Sequence, residues 1–208
     1  MAEVPVQAAR PEVASAATGI TVLRLASRSP RRRALLEQVG IRCTVCGADI
    51  DEALRTGEGA AEHVTRLAVA KAQRVAALWS GLPVLGADTC VALDDLILGK
   101  PADASDAGAM LRSLSGRSHR VFTGVALVNS GSVQTALSVS EVFFEQLSDA
   151  QIAAYWRTGE AQDKAGGYAI QGHGAVFVTR LVGSYSGVMG LPLYETGKLL
   201  KVIGIDVL

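Results

Sequence analysis

The stretch Leu23-Arg24-Leu25-Ala26-Ser27-Arg28-Ser29-Pro30-Arg31-Arg32-Arg33-Ala34-Leu35-Leu36 decides how the chain is organised. The apolar run from Thr21 to Ala26 reads as a buried strand, which breaks into two serines, a proline and three arginines just before an apolar-periodic helix. Proline suits a first helical turn, because its missing N–H has no partner to lose there. Ser27 and Ser29 supply small capping hydroxyls, while the free N–H groups and dipole of a helix start favour an anion. Arg31, Arg32 and Arg33 add forked donors that match phosphate oxygens. Strand, polar turn and basic helix start together describe a phosphate cradle; the plainer alternative is a capped helix with a solvated basic face.

Strand and helix keep alternating downstream. Ile41 to Val45 reads as a second strand leading into Gly47-Ala48-Asp49-Ile50-Asp51-Glu52, whose acids serve either a solvated turn or metal and proton handling. From Gly59 to Trp79, Val64, Leu67, Ala68, Val75 and Leu78 recur at helical spacing, with Lys71 inside the apolar stripe. Such a lysine either snorkels outward or points its ammonium at a polyanion in a cleft, since an unpaired buried charge is costly. Leu82 to Leu93 is the most apolar strand candidate, and Asp88 sits in its middle. A carboxylate is rarely buried in a strand without a partner, so Asp88 marks a functional position. Thr89 points to the opposite face if the strand is regular, or toward the same cleft if it bends after Gly86. Bringing Lys71 from a helix and Asp88 from a central strand into one cleft implies an α/β fold with a twisted mixed sheet.

Asp94-Asp95 marks a turn and Leu96 to Gly99 a short return strand. Lys100, kept extended by Pro101, projects from a defined loop, either into solvent or toward the site. Ser105 is placed as the cap of a helix through Met110, Leu111 and Leu114 that stops at Gly116. His119 to Val128 and Val133 to Gln146 alternate as strands around Asn129-Ser130-Gly131-Ser132 and form a hairpin. His119, with no base or metal partner at a recognisable spacing, reads as structural. Ser148-x-x-Gln151 is a capping box for a helix whose Ile152, Tyr155 and Trp156 belong to the core. The glycine-rich run Asp163 to Gly174 is either a flexible loop or backbone that closely approaches a ligand, with Tyr168 able to stack on a base and Gln171 to read its edge. Ala175 to Val182 reads as a strand, Gly183 to Gly187 as a polar turn, and Pro192 as the start of a last helix to Val202.

The totals narrow the class. A chain of 208 residues that is 49% hydrophobic can bury a sizeable core. Lys+Arg and Asp+Glu both number 20, so no global field favours nucleic acid or an anionic membrane, and any phosphate affinity is local. Three cysteines cannot all pair, and Cys43-x-x-Cys46 lacks a second pair for zinc, which fits reduced thiols of a cytoplasmic protein. Residues 1–20 hold no continuous apolar core and are expected to be a loose tail before a single domain over 21–208; no stretch is long enough to span a bilayer.

With these pieces in order, the sequence resembles the Maf family of nucleoside triphosphate pyrophosphatases across roughly Val22 to Val202. The matching signatures are Ser27-x-Ser29-Pro30-Arg31-Arg32, Asp51-Glu52, Ala70-Lys71-Ala72, Gly86-Ala87-Asp88-Thr89, Gly99-Lys100-Pro101, Ser115-Gly116-Arg117 to Gly124, Lys164-Ala165-Gly166-Gly167-Tyr168 to Gly172, and Gly190-Leu191-Pro192. The form of the segment from Gly167 to Gly172 is similar to the branch that prefers dTTP and UTP. The chain departs from the family pattern at Ala161, Ala169 and Gly187. The resemblance implies an elongated fold of two lobes with the site between them, often dimeric, so a homodimer is expected. It implies that Asp88 is the proton acceptor, that Glu52, Lys71 and Lys100 act in catalysis, and that Arg32, Thr89 and Gln171 influence substrate choice. Ser27, Ser29, Arg31 and Lys164 fall within the matched motifs and are expected to bind substrate. Glu52 and Asp88 are expected to hold Mg²⁺ or Mn²⁺ while a nucleoside triphosphate is cut between its α and β phosphates. The rival of another class is a nucleotide-binding regulator of septum formation with little turnover.

Overall fold

The computed structural model describes residues 21–207; the loose tail expected over residues 1–20 lies outside them. A mixed sheet is built from β1 (Leu23–Ala26), β2 (Cys43–Val45), β3 (Val84–Leu93), β4 (Leu96–Leu98), β5 (Ser118–Asn129), β6 (Ser132–Phe144) and β7 (Val178–Val182). Its order is β2-β1-β3-β5-β6-β7, with β4 paired to β3. The β2-β1-β3 pairs are parallel and the β3-β5-β6-β7 pairs antiparallel. Helices α1 (Pro30–Gln38), α2 (Ala60–Leu78), α3 (Ala104–Leu114), α4 (Asp149–Arg157), α5 (Tyr185–Met189) and α6 (Leu193–Val202) flank it. The expected α/β class with a mixed sheet is the observed one.

Local chemistry sets most of the element ends. Ser29 caps α1 and Pro30 occupies its first turn, while Ser148 and Gln151 form the reciprocal box that opens α4. Four expectations are corrected. Asp103 rather than Ser105 caps α3, because the Asp103 carboxylate accepts from the Asp106 N–H at 2.9 Å. His173–Phe177 is a 3-10 turn, so the strand read from Ala175 begins only at Val178. The Ser184 hydroxyl accepts from the Gly187 N–H at 2.9 Å, which turns the supposed polar turn into the start of α5. Leu78 is exposed at the last position of α2, although the rest of its stripe, Val64, Leu67, Ala68, Lys71 and Val75, is buried.

The core gathers at the two ends of β3. At one end Leu85 and Ala87 pack with Leu23, Leu25, Leu36, Leu191 and Leu200. At the other, Val91 and Leu93 pack with Leu111, Leu114, Phe144, Tyr155 and Phe177. Each fully buried large aliphatic side chain contributes about 1.5–3 kcal/mol. On the opposite face of the sheet, where Val84, Gly86 and Asp88 point, α2 presses directly on the strands. A Cβ on Gly86 would lie 2.3 Å from the Ala68 carbonyl oxygen, and one on Gly124 would lie 2.6 Å from that of Val64. Only glycine permits that approach. Gly124 is the cross-strand partner of Asp88, so the seating of α2 on glycine carries Lys71 to Asp88.

Candidate active site

β3 has one interrupted edge. Its residues 84–86 pair with β1 and its residues 91–93 pair with β4, which leaves Ala87 to Cys90 unpaired on that side. A cleft of about 850 Å³ opens at this gap, within the size range of small-molecule sites. It lies outside the carboxyl end of β1, the usual place for a ligand in an open α/β sheet. The gap also resolves the alternatives for Thr89. The strand alternates regularly, Asp88 toward α2 and Thr89 toward α1 and α5, yet both line the cleft because it opens at the edge between the two faces.

On the α2 side, the Lys71 ammonium donates to Asp88 Oδ1 at 2.6 Å and lies 2.8 Å from Glu52 Oε1. Lys71 and Asp88 are both buried, whereas the Glu52 side chain is half exposed. Three of the four groups expected to act in catalysis therefore meet, and the fourth, Lys100, lines the same cleft. Glu52 rides on a segment without regular structure, pinned from behind by a cluster that the sequence did not single out. Arg66 donates to the Ala53 carbonyl at 3.1 Å and to both oxygens of Glu58, which also contacts His63 Nδ1 at 3.1 Å. Hydrogen bonds from Arg66 hold the Glu58 carboxyl well below the usual carboxylate range.

On the other side, Arg32 turns inward. It donates through Nε to the Gly190 carbonyl at 2.7 Å, through Nη1 to Ser27 Oγ at 3.2 Å and through Nη2 to Thr89 Oγ1 at 3.2 Å. Burial lowers its proton affinity and the nearby Asp88 charge opposes that. Ser27 Oγ also accepts from the Ser29 N–H at 3.2 Å, so both serines shape the turn. Arg33, by contrast, pairs with Glu37 in solvent, which is the plainer alternative for that one arginine.

Three further cations line the cleft. Arg31, half-buried, and Lys100, exposed on the loop after β4, line it together with Lys164. Burial, and then the charges of Arg31 and Lys100, push the Lys164 ammonium below its ordinary value. Among the described residues, none of these three cations forms a salt bridge, an arrangement that a polyanion relieves. Gln171 lies on the exposed rim of the same cleft. The turn that follows it is held by Glu160, whose carboxylate accepts from the His173 N–H at 2.9 Å and the Gly174 N–H at 3.3 Å. Tyr168 is corrected to a core residue: its ring sits edge-to-face against Phe144 and His119, and its hydroxyl lies 2.8 Å from His119 Nε2. His119 is buried, as its structural reading requires.

Among the described residues no group of three or more His, Cys, Asp or Glu gathers as a metal cage. Glu52 and Asp88 still offer hard oxygens at one point, and Mg²⁺-type ions commonly bind one or two carboxylates and take their remaining oxygens from substrate phosphates. The residues present fit a cation that arrives with a polyphosphate.

An α/β cleft that surrounds a buried carboxylate–ammonium pair with unpaired cations defines a polyphosphate-handling protein. The chain belongs to the Maf family: the family model described as "Maf-like protein" matches residues 22–203. It is 52% identical over 188 residues to a dTTP/UTP pyrophosphatase of Alkalilimnicola ehrlichii, covering 88% of this chain and 93% of the relative. It is 49% identical over 194 residues to one of Chromobacterium violaceum (91% and 98%), and 48% identical over 189 residues to one of Saccharophagus degradans (89% and 90%).

Proposed function

We propose that this protein hydrolyses dTTP and UTP between the α and β phosphates, releasing the nucleoside monophosphate and pyrophosphate. The names of its relatives support this reading. The observation that carries it is the meeting of Lys71, Asp88 and Glu52 at the gap in β3, in a cleft also lined by Arg31, Lys100 and Lys164. Lys71 engages Asp88 Oδ1, so Oδ2 is the oxygen that orients the attacking water and receives its proton. The water oxygen bonds to the α-phosphorus, and the bond to the α–β bridging oxygen breaks, leaving its electron pair on pyrophosphate. Arg31, Lys100 and Lys164 hold the phosphate chain and offset the charge that develops on the leaving group. Glu52 and Asp88 are the residues that would hold Mg²⁺ or Mn²⁺, which when bound polarises phosphate oxygens. Gln171 and Thr89 face the base, with Ser27, Ser29 and Arg32 fixing the turn beside it.

The same proposal takes the enzyme as a cytoplasmic homodimer without nucleic-acid or membrane partners. Balanced charge supports the last point, and no helix among the described residues is long and apolar enough to cross a membrane.

The test is a panel of triphosphates with Mg²⁺ or Mn²⁺, scored for pyrophosphate. Wild type releases pyrophosphate from dTTP and UTP, and Asp88→Asn, still folded, loses about 10²- to 10⁴-fold in turnover. Release of orthophosphate and a diphosphate would identify a γ-phosphatase instead. Saturable binding without any release would identify a nucleotide-binding regulator.

A further inference from the structure

The hydrogen bonds behind Thr89 form a chain whose direction is fully determined. Thr123, on β5, is the cross-strand partner of Thr89 and is 1% exposed. Its Oγ1 lies 2.8 Å from the Gly187 carbonyl oxygen and 3.0 Å from Thr89 Oγ1. A carbonyl only accepts, so the single hydroxyl proton of Thr123 goes to Gly187. Thr123 must then accept from Thr89, which uses the only proton Thr89 has. Arg32 Nη2, a group that only donates, occupies one of the two acceptor positions on Thr89 Oγ1 at 3.2 Å. What remains of Thr89 toward the cleft is one acceptor lone pair.

The wall on which that lone pair opens suits a flat, uncharged ring. Gly190 stands beside it, where an added Cβ would lie 3.5 Å from Thr89 Oγ1, Val188 and Met189 line the same cleft, and the Arg32 guanidinium is spent on protein acceptors. The cations that suit phosphate, Arg31, Lys100 and Lys164, are near enough to one another that the charges of Arg31 and Lys100 act on Lys164.

We infer that Thr123 is a positioning residue for base selection: by taking the Thr89 proton it makes Thr89 an obligate acceptor, which selects the N3–H of a uracil or thymine ring and disfavours cytosine, whose N3 is itself an acceptor. The inference rests on the pyrimidine-triphosphate reading above and adds the group that sets the direction. Without Thr123 the Thr89 hydroxyl rotates and can donate, so cytosine is tolerated. Buried, geometrically fixed hydrogen bonds discriminate more strongly than apolar fit, because the wrong partner leaves a polar group unpaired.

The experiment compares kcat/KM for UTP and CTP in wild type, Thr123→Val and Thr123→Ser, with folding checked by circular dichroism. Wild type prefers UTP. Thr123→Val lowers that preference roughly three- to tenfold, chiefly by raising CTP turnover, and Thr123→Ser, which keeps the hydroxyl, restores it. A merely structural role would lower both substrates together. If Thr123→Val turns over UTP with the preference unchanged, or if the serine variant behaves like valine, the inference is overturned while the pyrophosphatase reading stands. A wild type without preference for UTP over CTP also overturns it, and a wild type that releases no pyrophosphate overturns both readings. Should the valine variant fail to fold, Thr123→Ala makes the same deletion with less bulk and is read by the same outcomes.

Discussion

Asp88 and Thr89 are neighbours on one strand, yet the regions they face are built on different physics. Asp88 faces α2, where a buried ammonium joins two carboxylates and the contacts are between full charges. Thr89 faces α1 and α5, where a guanidinium, two hydroxyls and two carbonyls are linked by directional hydrogen bonds. In a low-dielectric cleft the first arrangement concentrates charge where bonds break, and the second fixes which atoms donate and which accept. One break in strand pairing lets the two regions share a cavity while keeping their networks apart. Substitutions on the Asp88 side should therefore remove turnover, and those on the Thr89 side should change preference or affinity.

The largest expected effect tests the charged side. Lys71→Met removes the ammonium and leaves Asp88 buried beside Glu52 with no cation between them. Turnover should fall at least about 100-fold, and urea unfolding should show a loss of about 3 kcal/mol, the cost of stranding a buried charge. If Lys71→Met kept stability but changed the UTP to CTP preference, the division between the two sides would be wrong.

The same division explains what could be read before folding. Lys71 and Asp88 stand out in sequence because each is a charge inside an apolar period, and such a violation survives without any knowledge of tertiary contacts. Thr123 gives no such signal, since threonine is an ordinary strand residue and its importance comes from register with a residue 34 positions away. Glu58, His63 and Arg66 are ordinary polar residues of a helix start, and only the return of the Glu52 segment gives them a task. The strand begins at Val178 and not at Ala175 for a similar reason. Ala-Val-Phe-Val has strand composition, but the staple from Glu160 to His173 and Gly174 winds the chain into a turn first.

Acid sensitivity offers a second way to sharpen the contrast, because Glu58, behind the Glu52 segment, and His119, in the neutral core, titrate in different windows. Burial lowers the pKa of His119 from 6.5 to about 4, so the folded state keeps it neutral while the unfolded chain protonates it. Stability is therefore full above pH 6.5, falls as pH drops toward 4, and is flat in this component below that. At about 1.4 kcal/mol per tenfold change in proton affinity, the loss approaches about 3 kcal/mol. Glu58, whose folded pKa is depressed, contributes stability that is present above its unfolded value of 4.5 and is lost only as pH falls below it. Melting temperatures from pH 7 to pH 5 should thus decline in wild type and stay nearly level in His119→Gln. A wild-type curve flat down to pH 4.5 would assign acid sensitivity to the carboxylates alone.

The smallest effect separates two residues that are adjacent and identical in sequence. Arg32 spans a carbonyl and two hydroxyls with one rigid fork, whereas Arg33 holds a single exposed pair with Glu37. Lysine keeps the charge but is a point donor that cannot reach three separated acceptors. Arg32→Lys should cost about 1–2 kcal/mol, from hydrogen bonds left unmade in a half-buried setting, and should raise KM several-fold with little change in kcat. Arg33→Lys should leave melting temperature and both kinetic constants where they were. Equal effects from the two would mean that the helix start acts by net charge alone, and that the directional network on the Thr89 side contributes nothing to binding.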